Sequence, residues 1–322
     1  MEEFIEQSNE IINSLKISKY RFISSPIEEI ILPEYKGSTF RGAFGNSFRN
    51  ICCVHKQKNC NECLLNNKCA YSIIFESSPV IGSEKLKNLD EIPRPFVIEP
   101  PLTEKRYFNT EDELTFELVL IGRANEYLHL MIYTFIELGK VGIGKHRGRF
   151  KINKIITETD DIIYDGETET MYNINSIIKI NIPEIKDGNI LKISFLTPTR
   201  IKYEGYYQNK PEFHIIIRTL LRRISSLMYF YCNKELNVNF KELISKSENV
   251  KIIDNNLRWI DWERYSSRQN IKMKLGGIVG EIVYEGDFKQ FLPFLVLGEY
   301  IHIGKNCTFG LGKYKLVFNR KK

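Results

Sequence analysis

The sequence predicts an α+β fold made of two tandem ferredoxin-like domains, the second carrying a C-terminal glycine-rich loop. Three observations predict it. The order strand, helix, strand, helix, glycine-rich loop, strand occurs twice along the 322 residues. Both loops contain the same tripeptide at the matching place, Ile143-Gly144-Lys145 and Ile303-Gly304-Lys305. Matched residues inside matched element strings argue for an internal duplication, and a unit of two helices with about four strands fits the ferredoxin-like plan.

The elements follow from periodicity. An amphipathic N-terminal segment precedes Ser18 to Ile23, which alternates as a strand with Tyr20 and Phe22 on one face and Lys19 and Arg21 on the other. Pro26 interrupts the alternation. Phe40, Phe44 and Phe48 recur every four residues and predict a helix from Tyr35 to about Cys52. A cysteine-rich insert spans 52–69. Pro93, Pro95, Pro100 and Pro101 mark extended chain, and 113–121 alternate as a strand. A helix follows over 124–138, then a loop from Gly139 to Gly148 and a strand from Phe150. Residues 156–187 are acidic and turn-rich and predict extra hairpins. The boundary falls near Lys186-Asp187-Gly188-Asn189, giving domains of 1–187 and 188–322. In the second domain, Leu191 to Leu196 form a strand, 212–232 a long helix bearing Arg218, Arg222 and Arg223, and 278–284 a strand. Asp287 caps a helix over 288–301, and a last strand closes the chain.

Hydrophobic residues make up 43% of the chain, enough for sizeable cores. The net charge is +6, and its distribution says more than its size. Residues 301–322 hold six Lys/Arg and no acid, as do residues 140–154, so the remainder carries −6 by difference. Two basic patches on a slightly acidic body suit a polyanion. The N-terminus is acidic and lacks a signal-peptide core, and no apolar run reaches the ~18 residues of a membrane span. These features predict a cytoplasmic protein without membrane association, whose seven cysteines are thiols or metal ligands.

The stretch His302 to Tyr314 is the strongest chemical signal. Gly304, Gly310 and Gly312 permit sharp turns and a close approach of backbone N–H groups to a ligand. Lys305 and Lys313 add charge, and Phe309 and Tyr314 add flat faces. It holds no Gly-Lys-Ser/Thr and leads into a strand, so it is neither a P-loop nor a dinucleotide fingerprint. A phosphate backbone with bases attached suits it best. Tyr206 and Tyr207 are further candidates for stacking. In the insert, Cys53-x6-Cys60-x2-Cys63-x5-Cys69 has the chelate spacing of a zinc knuckle, with Cys52 or His55 as substitutes for Cys53. Four thiolates suit a closed structural zinc site; an iron–sulfur cluster is the other metal reading.

Several of these motifs, in this order, carry a resemblance. Phe195-Leu196-Thr197-Pro198-Thr199-Arg200, the Arg222-Arg223 helix, Gly276-Gly277-Ile278-Val279-Gly280, Gly286-Asp287 and the terminal loop resemble the CRISPR-associated endoribonuclease that processes repeat RNA, of the RAMP superfamily. Phe40-Arg41-Gly42-Ala43-Phe44-Gly45, the cysteine insert and Gly142 to Phe150 extend the resemblance to the first half. It implies tandem ferredoxin-like (RRM-like) domains, binding of CRISPR repeat RNA, and one cut per repeat by attack of the ribose 2′-OH on the adjacent phosphate. No metal is required for that chemistry. Subunits of a CRISPR effector complex are further implied partners.

Such a reaction needs a base, an acid and cations around the phosphorane. His302, at the loop entrance and close to Lys305, is the leading candidate for proton transfer, and His146 between Lys145 and Arg147 is the second. Arg41, Lys145, Arg147, Arg149, Arg200 and Lys313 are the candidate phosphate contacts. His129, among apolar residues on a helix, reads as structural. Family members place a histidine near the first helix of the first domain; here that helix bears Arg41 and Arg49 instead. Two other readings stand beside the nuclease: a non-catalytic RNA-binding subunit of the same superfamily, and a zinc-stabilised protein-interaction module.

Overall fold

A computed structural model describes residues 10–11, 13–55, 59–66, 68–76, 92–174, 176–183, 189–266 and 271–320. The chain divides into two compact units, Lys16–Ile178 and Lys179–Lys322, the second also taking Met1–Leu15. The expected division lies at 187/188, where Lys186-Asp187-Gly188 are outside the described residues. The physical reason for the N-terminal reassignment is packing: Leu15 is fully buried, its carbonyl lies 3.8 Å from Cys232 Sγ, and Lys234 Nζ donates to Ser14 Oγ at 3.1 Å.

The first unit contains β1 (Ile17–Pro26), β2 (Ile30–Ile31), α1 (Gly37–Cys52), α2 (Ala70–Ile74), β3 (Phe96–Glu99), β4 (Tyr107–Phe108), β5 (Leu114–Ile121), α3 (Leu128–Val141), β6 (Phe150–Thr157), β7 (Ile162–Asp165) and β8 (Thr170–Met171). Its main sheet runs β3-β5-β1-β6-β7-β8, with antiparallel neighbours. The first four strands in that order are those of a ferredoxin-like sheet, and β7 and β8 are the extra hairpin that the acidic stretch predicts. The core is aromatic. Phe40, Phe44 and Phe48 of α1 are fully buried, with Phe44 stacked on Phe135 of α3 at 4.8 Å and Phe40 tilted against Phe116 of β5 at 5.0 Å. Such pairs add about 0.5–1.5 kcal/mol each beyond their buried area.

On the opposite face of β1, Lys19 Nζ lies 3.1 Å from Glu99 and 2.9 Å from Glu117. Burial works to lower the Lys19 pKa, but the two carboxylates outweigh it, and the net shift is upward.

The boundaries differ from periodicity where backbone chemistry intervenes. Pro26 closes β1 opposite Phe150 instead of interrupting it, because a strand's last residue can do without its N–H. α3 starts late because Gly122–Tyr127 take a tighter 3-10 turn, and it runs on to Val141 through Gly139. A side chain at Gly139 would meet Phe150 O at 2.3 Å.

The second unit contains β9 (Asn189–Thr199), β10 (Lys202–Tyr203), β11 (Tyr206–Tyr207), α4 (Phe213–Cys232), α5 (Phe240–Ser247), β12 (Lys251–Ile260), β13 (Glu263–Ser266), β14 (Ile271–Lys274), β15 (Gly277–Glu285), α6 (Leu292–Ile301) and β16 (Tyr314–Arg320). Its main sheet runs β12-β15-β9-β16, again antiparallel and again ferredoxin-like. α6 begins at Leu292, with Pro293 in its first turn; the preceding Lys289–Phe291 are 3-10, and Asp287 accepts from Lys289 N at 3.0 Å. α5 is an addition to the sequence reading. Its signal is Asn239-x-x-Glu242, whose Asn239 side chain accepts from Glu242 N at 3.2 Å.

α6 is tied to β16 from both sides. Tyr314, fully buried, donates its hydroxyl to Leu295 O at 2.6 Å, so it belongs to the core and not to a stacking surface. Glu299 accepts from Leu316 N at 2.9 Å. Burial pushes the Glu299 carboxyl up, against the pull of that hydrogen bond and of Lys315. With the folded pKa above the unfolded one, its contribution to stability is full below the ordinary carboxylate range and lost as pH rises through the raised value. Glu299→Gln keeps an oxygen for Leu316 N–H and removes the half-buried charge. It should raise the melting temperature at about pH 7 and change little at about pH 4, as read by scanning calorimetry.

Candidate nucleic-acid interface

Each unit carries one basic loop after its second long helix, and the two are built alike. In the first, α3 ends at Val141 and Gly142 turns with φ 86° and ψ 164°, donating to Leu138 O at 2.8 Å. Ile143 drops into the core and donates to Gly148 O at 3.0 Å. Gly144 (φ 85°) lies so close to β2 that a Cβ would meet Ile31 O at 2.3 Å, and Lys145 N donates to that carbonyl at 3.0 Å.

In the second loop, His302 takes the place of Gly142, with φ 62°, ψ 169° and its N–H on Gly298 O at 2.9 Å. Ile303 is buried and donates to Gly312 O at 3.0 Å; Gly304 (φ 88°) approaches Arg200, and Lys305 N donates to Arg200 O at 3.0 Å. The Ile-Gly-Lys tripeptides therefore do the same mechanical work in both units.

This changes the meaning of the glycines. A Cβ at Gly304 would stand 2.4 Å from Arg200 O, and one at Gly312 would stand 1.9 Å from Ile303 O. The backbone N–H groups of Ile303, Lys305, Phe309, Gly310, Gly312 and Lys313 all bond to the protein itself. The glycines seat the loop on its own sheet and do not open these amides to a ligand. What the loops present outward is side-chain charge. Lys145, His146, Arg147 and Lys305 are exposed.

The candidate residues separate accordingly. His302 is fully buried, with Nδ1 3.0 Å from Leu311 O; the carbonyl only accepts, so Nδ1 carries a hydrogen. Its backbone lies in a region comfortable only for glycine, at a cost of about 1–3 kcal/mol. Arg149 is exposed but held by Glu28, with Nε and Nη2 at 2.9 and 2.5 Å from one carboxylate oxygen. Arg41 sits over the Phe75 ring at 3.9 Å, and Arg200 over Tyr207 at 4.2 Å. Lys313 is half-buried, its N–H on Thr197 Oγ1 at 2.9 Å. His129 is exposed on α3, which corrects its structural reading.

Two supporting residues escape sequence reasoning. Arg223 of α4 donates twice to Ile301 O, at 3.0 and 2.8 Å, and so pins the end of α6 where the second loop begins. Thr197 receives Lys313 N–H and donates to Gly310 O at 2.9 Å. The Arg222-Arg223 pair and the Thr-Pro-Thr motif were visible; their direction was not.

In the insert, Cys60–Glu62 form one 3-10 turn, with Cys63 N on Cys60 O at 3.2 Å. Burial, then neighbouring Cys69 and Cys53, push the Cys52 thiol up to about 12. Burial first, then Glu76, raises Cys60, with Cys53 and Cys69 adding smaller contributions in the same direction. Cys52, Cys53, Cys60 and Cys69 are thus electrostatic neighbours. Among the described residues, no group of three or more His, Cys, Asp or Glu is arranged to hold a metal ion.

Comparison with known proteins accounts for both halves. The AF_1859_N family, described as an N-terminal domain, matches residues 15–176, and the family described as CRISPR-associated endoribonuclease Cas6 matches residues 193–314. The chain belongs to the AF_1859_N family, whose model spans half of it, and its second half matches the Cas6 endoribonuclease family. An uncharacterized protein of Archaeoglobus fulgidus is 26% identical over 297 residues, covering 88% of this chain and 92% of that one. Among solved structures, a Cas6 product complex matches with TM-score 0.55 at 14% identity, over 94% of this chain and 99% of that one. Thermus thermophilus Cas6 matches with TM-score 0.51 at 13% identity, over 94% and 99%. A partial Cas6-RT-Cas1–Cas2 complex gives TM-score 0.56 at 13% identity, over 95% of this chain and 47% of that one. At these identities the likeness establishes the fold. Among the described residues no helix is long and apolar enough to cross a membrane.

The strain at His302 has a measurable consequence. His302→Ala and His302→Gly both empty the same buried site, but only glycine relaxes the backbone. The glycine variant should be the more stable of the two by about 1 kcal/mol in urea denaturation, although it removes one atom more.

Proposed function

We propose that this protein binds CRISPR repeat RNA and cuts the precursor into guide RNAs by attack of a ribose 2′-OH, without a catalytic metal. One observation carries the assignment of chemistry: His146 stands exposed between Lys145 and Arg147, on a turn pinned by Lys145 N on Ile31 O and Ile143 N on Gly148 O. An imidazole exchanges protons near neutral pH. Two flanking cations would offset the charge that grows on the phosphorane. Nucleophile, phosphate and leaving group all belong to the RNA, so the protein need only orient them and move protons. His302 is read here as a support of its loop, and Lys305 as a phosphate contact.

A second reading, a non-catalytic RNA-binding subunit, draws support from the burial of His302 and from the lack of a histidine on α1. Other subunits of a CRISPR complex would be its partners. Incubation with the host's repeat RNA in EDTA separates the two. Cleavage should give fragments ending in a cyclic phosphate and fragments starting with a 5′-OH. His146→Ala should slow the cut by about 10²–10⁴-fold with RNA affinity little changed. An intact repeat after incubation with wild-type protein would sink the nuclease reading and leave the second.

The cysteine insert enters as a stabilising element. Cys53, Cys60, Cys63 and Cys69, with Cys52 or His55 as substitutes for Cys53, would hold a zinc ion; the chelate spacing of Cys60-x2-Cys63 supports that set. A structural zinc would order a segment that leaves Leu64 fully exposed and Val54 largely so. Metal analysis should then find about one zinc per chain, and stripping it should lower the melting temperature.

A further inference from the structure

The second unit gathers a set of aromatic and basic side chains at one end of its sheet. Thr199 of β9, Ile278 of β15 and Trp259 of β12 lie in one row across three neighbouring strands. The chain leaves β9 at Arg200 and makes the tight β10–β11 hairpin, in which Lys202 pairs with Tyr207 and Tyr203 with Tyr206. Glu204 and Gly205 turn it with φ 48° and 87°, as a two-residue hairpin of this hand requires. Side chains alternate across a strand, so Lys202 and Tyr207 share one face of the hairpin. On that face the Arg200 guanidinium lies 4.2 Å from the Tyr207 ring centre, and Trp259 lies 6.3 Å from it.

These side chains are held in place. The Gln208 amide donates to Tyr203 O and Tyr206 O at 3.4 and 3.2 Å, and Gln208 N donates to Ile201 O at 3.0 Å, with Ile201 fully buried. Trp259 Nε1 donates to Asp261 at 2.8 Å. Gly276 admits the indole: a Cβ there would meet Trp259 Nε1 at 3.0 Å and Ile260 O at 2.6 Å. Tyr207 nevertheless remains 42% exposed. The second basic loop adjoins the cluster through Lys305 N on Arg200 O. From Arg200 to Lys210 there are three cations and one acid.

A part-exposed Tyr207 ring beside a half-buried Trp259, rigidly mounted and bordered by cations, matches the chemistry of an unpaired nucleic-acid strand, whose bases stack while its phosphates seek positive charge. A protein partner would find here few of the aliphatic side chains that fill an interface core. We infer that Tyr207 and Trp259, with Arg200 and Lys202, form a stacking platform for bases of a single-stranded segment of RNA, and that Lys305 meets the adjoining phosphate. This inference rests on the RNA-binding reading above.

The chain has two tryptophans, so full-length Trp262→Phe protein reports on Trp259 alone. Two probes are titrated: single-stranded oligoadenylate and the host's repeat RNA. Oligoadenylate should quench the Trp259 emission. Tyr207→Ala should weaken oligoadenylate binding by about tenfold, the loss expected for one stacking contact, while Tyr207→Phe should bind like wild type. Circular dichroism confirms that the alanine variant is folded, and the quench in Tyr207-containing protein stands independently of it. If repeat RNA binds but oligoadenylate leaves the emission unchanged, or folded Tyr207→Ala retains full affinity, the platform is overturned and the RNA reading stands. If neither RNA binds, the RNA reading itself fails and the platform with it.

Discussion

Both units depend on one backbone stitch. After the second long helix, the chain turns through a positive-φ residue, buries an isoleucine, and lays a glycine against a carbonyl that follows the first strand. Lys145 N on Ile31 O and Lys305 N on Arg200 O close the two versions. The stitch fixes where the helix ends, which side chains face inward and which charged groups stand outside. It also explains why a glycine must precede the lysine: at either place a Cβ would lie within 2.4 Å of a carbonyl oxygen. Around the second stitch, Arg223 and Thr197 hold the flanking chain, so the loop belongs to the packed body of its unit.

That rigidity gives the basic side chains fixed places. Part of the charge is consumed internally, as with Arg149 on Glu28 and Lys19 between Glu99 and Glu117. Lys145, Arg147 and Lys305 stand exposed at the loop tips. Duplication has also diverged in a physically interpretable way. The first loop keeps glycine at its turn and carries its histidine outside, at His146. The second places its histidine in the turn itself, inside the unit, at a cost in backbone strain that the Leu311 carbonyl and the surrounding packing sustain.

Much of the architecture was legible in the chain. Phe40, Phe44 and Phe48 announced α1, and strict alternation announced β1 and β5, because periodicity reports burial directly. The repeated Ile-Gly-Lys tripeptide announced the duplication, and both sheets have the ferredoxin-like order. Illegible were β12, whose exposed Asp254-Asn255-Asn256 break any alternation, and the passage of Leu15 to the second unit, which rests on contacts with Cys232 and Lys234 more than two hundred residues away.

The sequence by itself determined the tandem α+β plan, the two basic loops, the cysteine insert and the resemblance to Cas6. Only the tertiary structure decided which of those residues can meet a ligand. His302 and His146 both lie within three residues of a lysine in a glycine-rich loop, yet one is sealed and the other open. Tyr314 and Tyr207 divide in the same way, one donating to Leu295 O within the core and the other stacked under Arg200 at the surface. The reason is physical: the direction a side chain takes after a glycine turn depends on which distant carbonyl accepts the next N–H, and that partner is set by folding, not by neighbours in sequence.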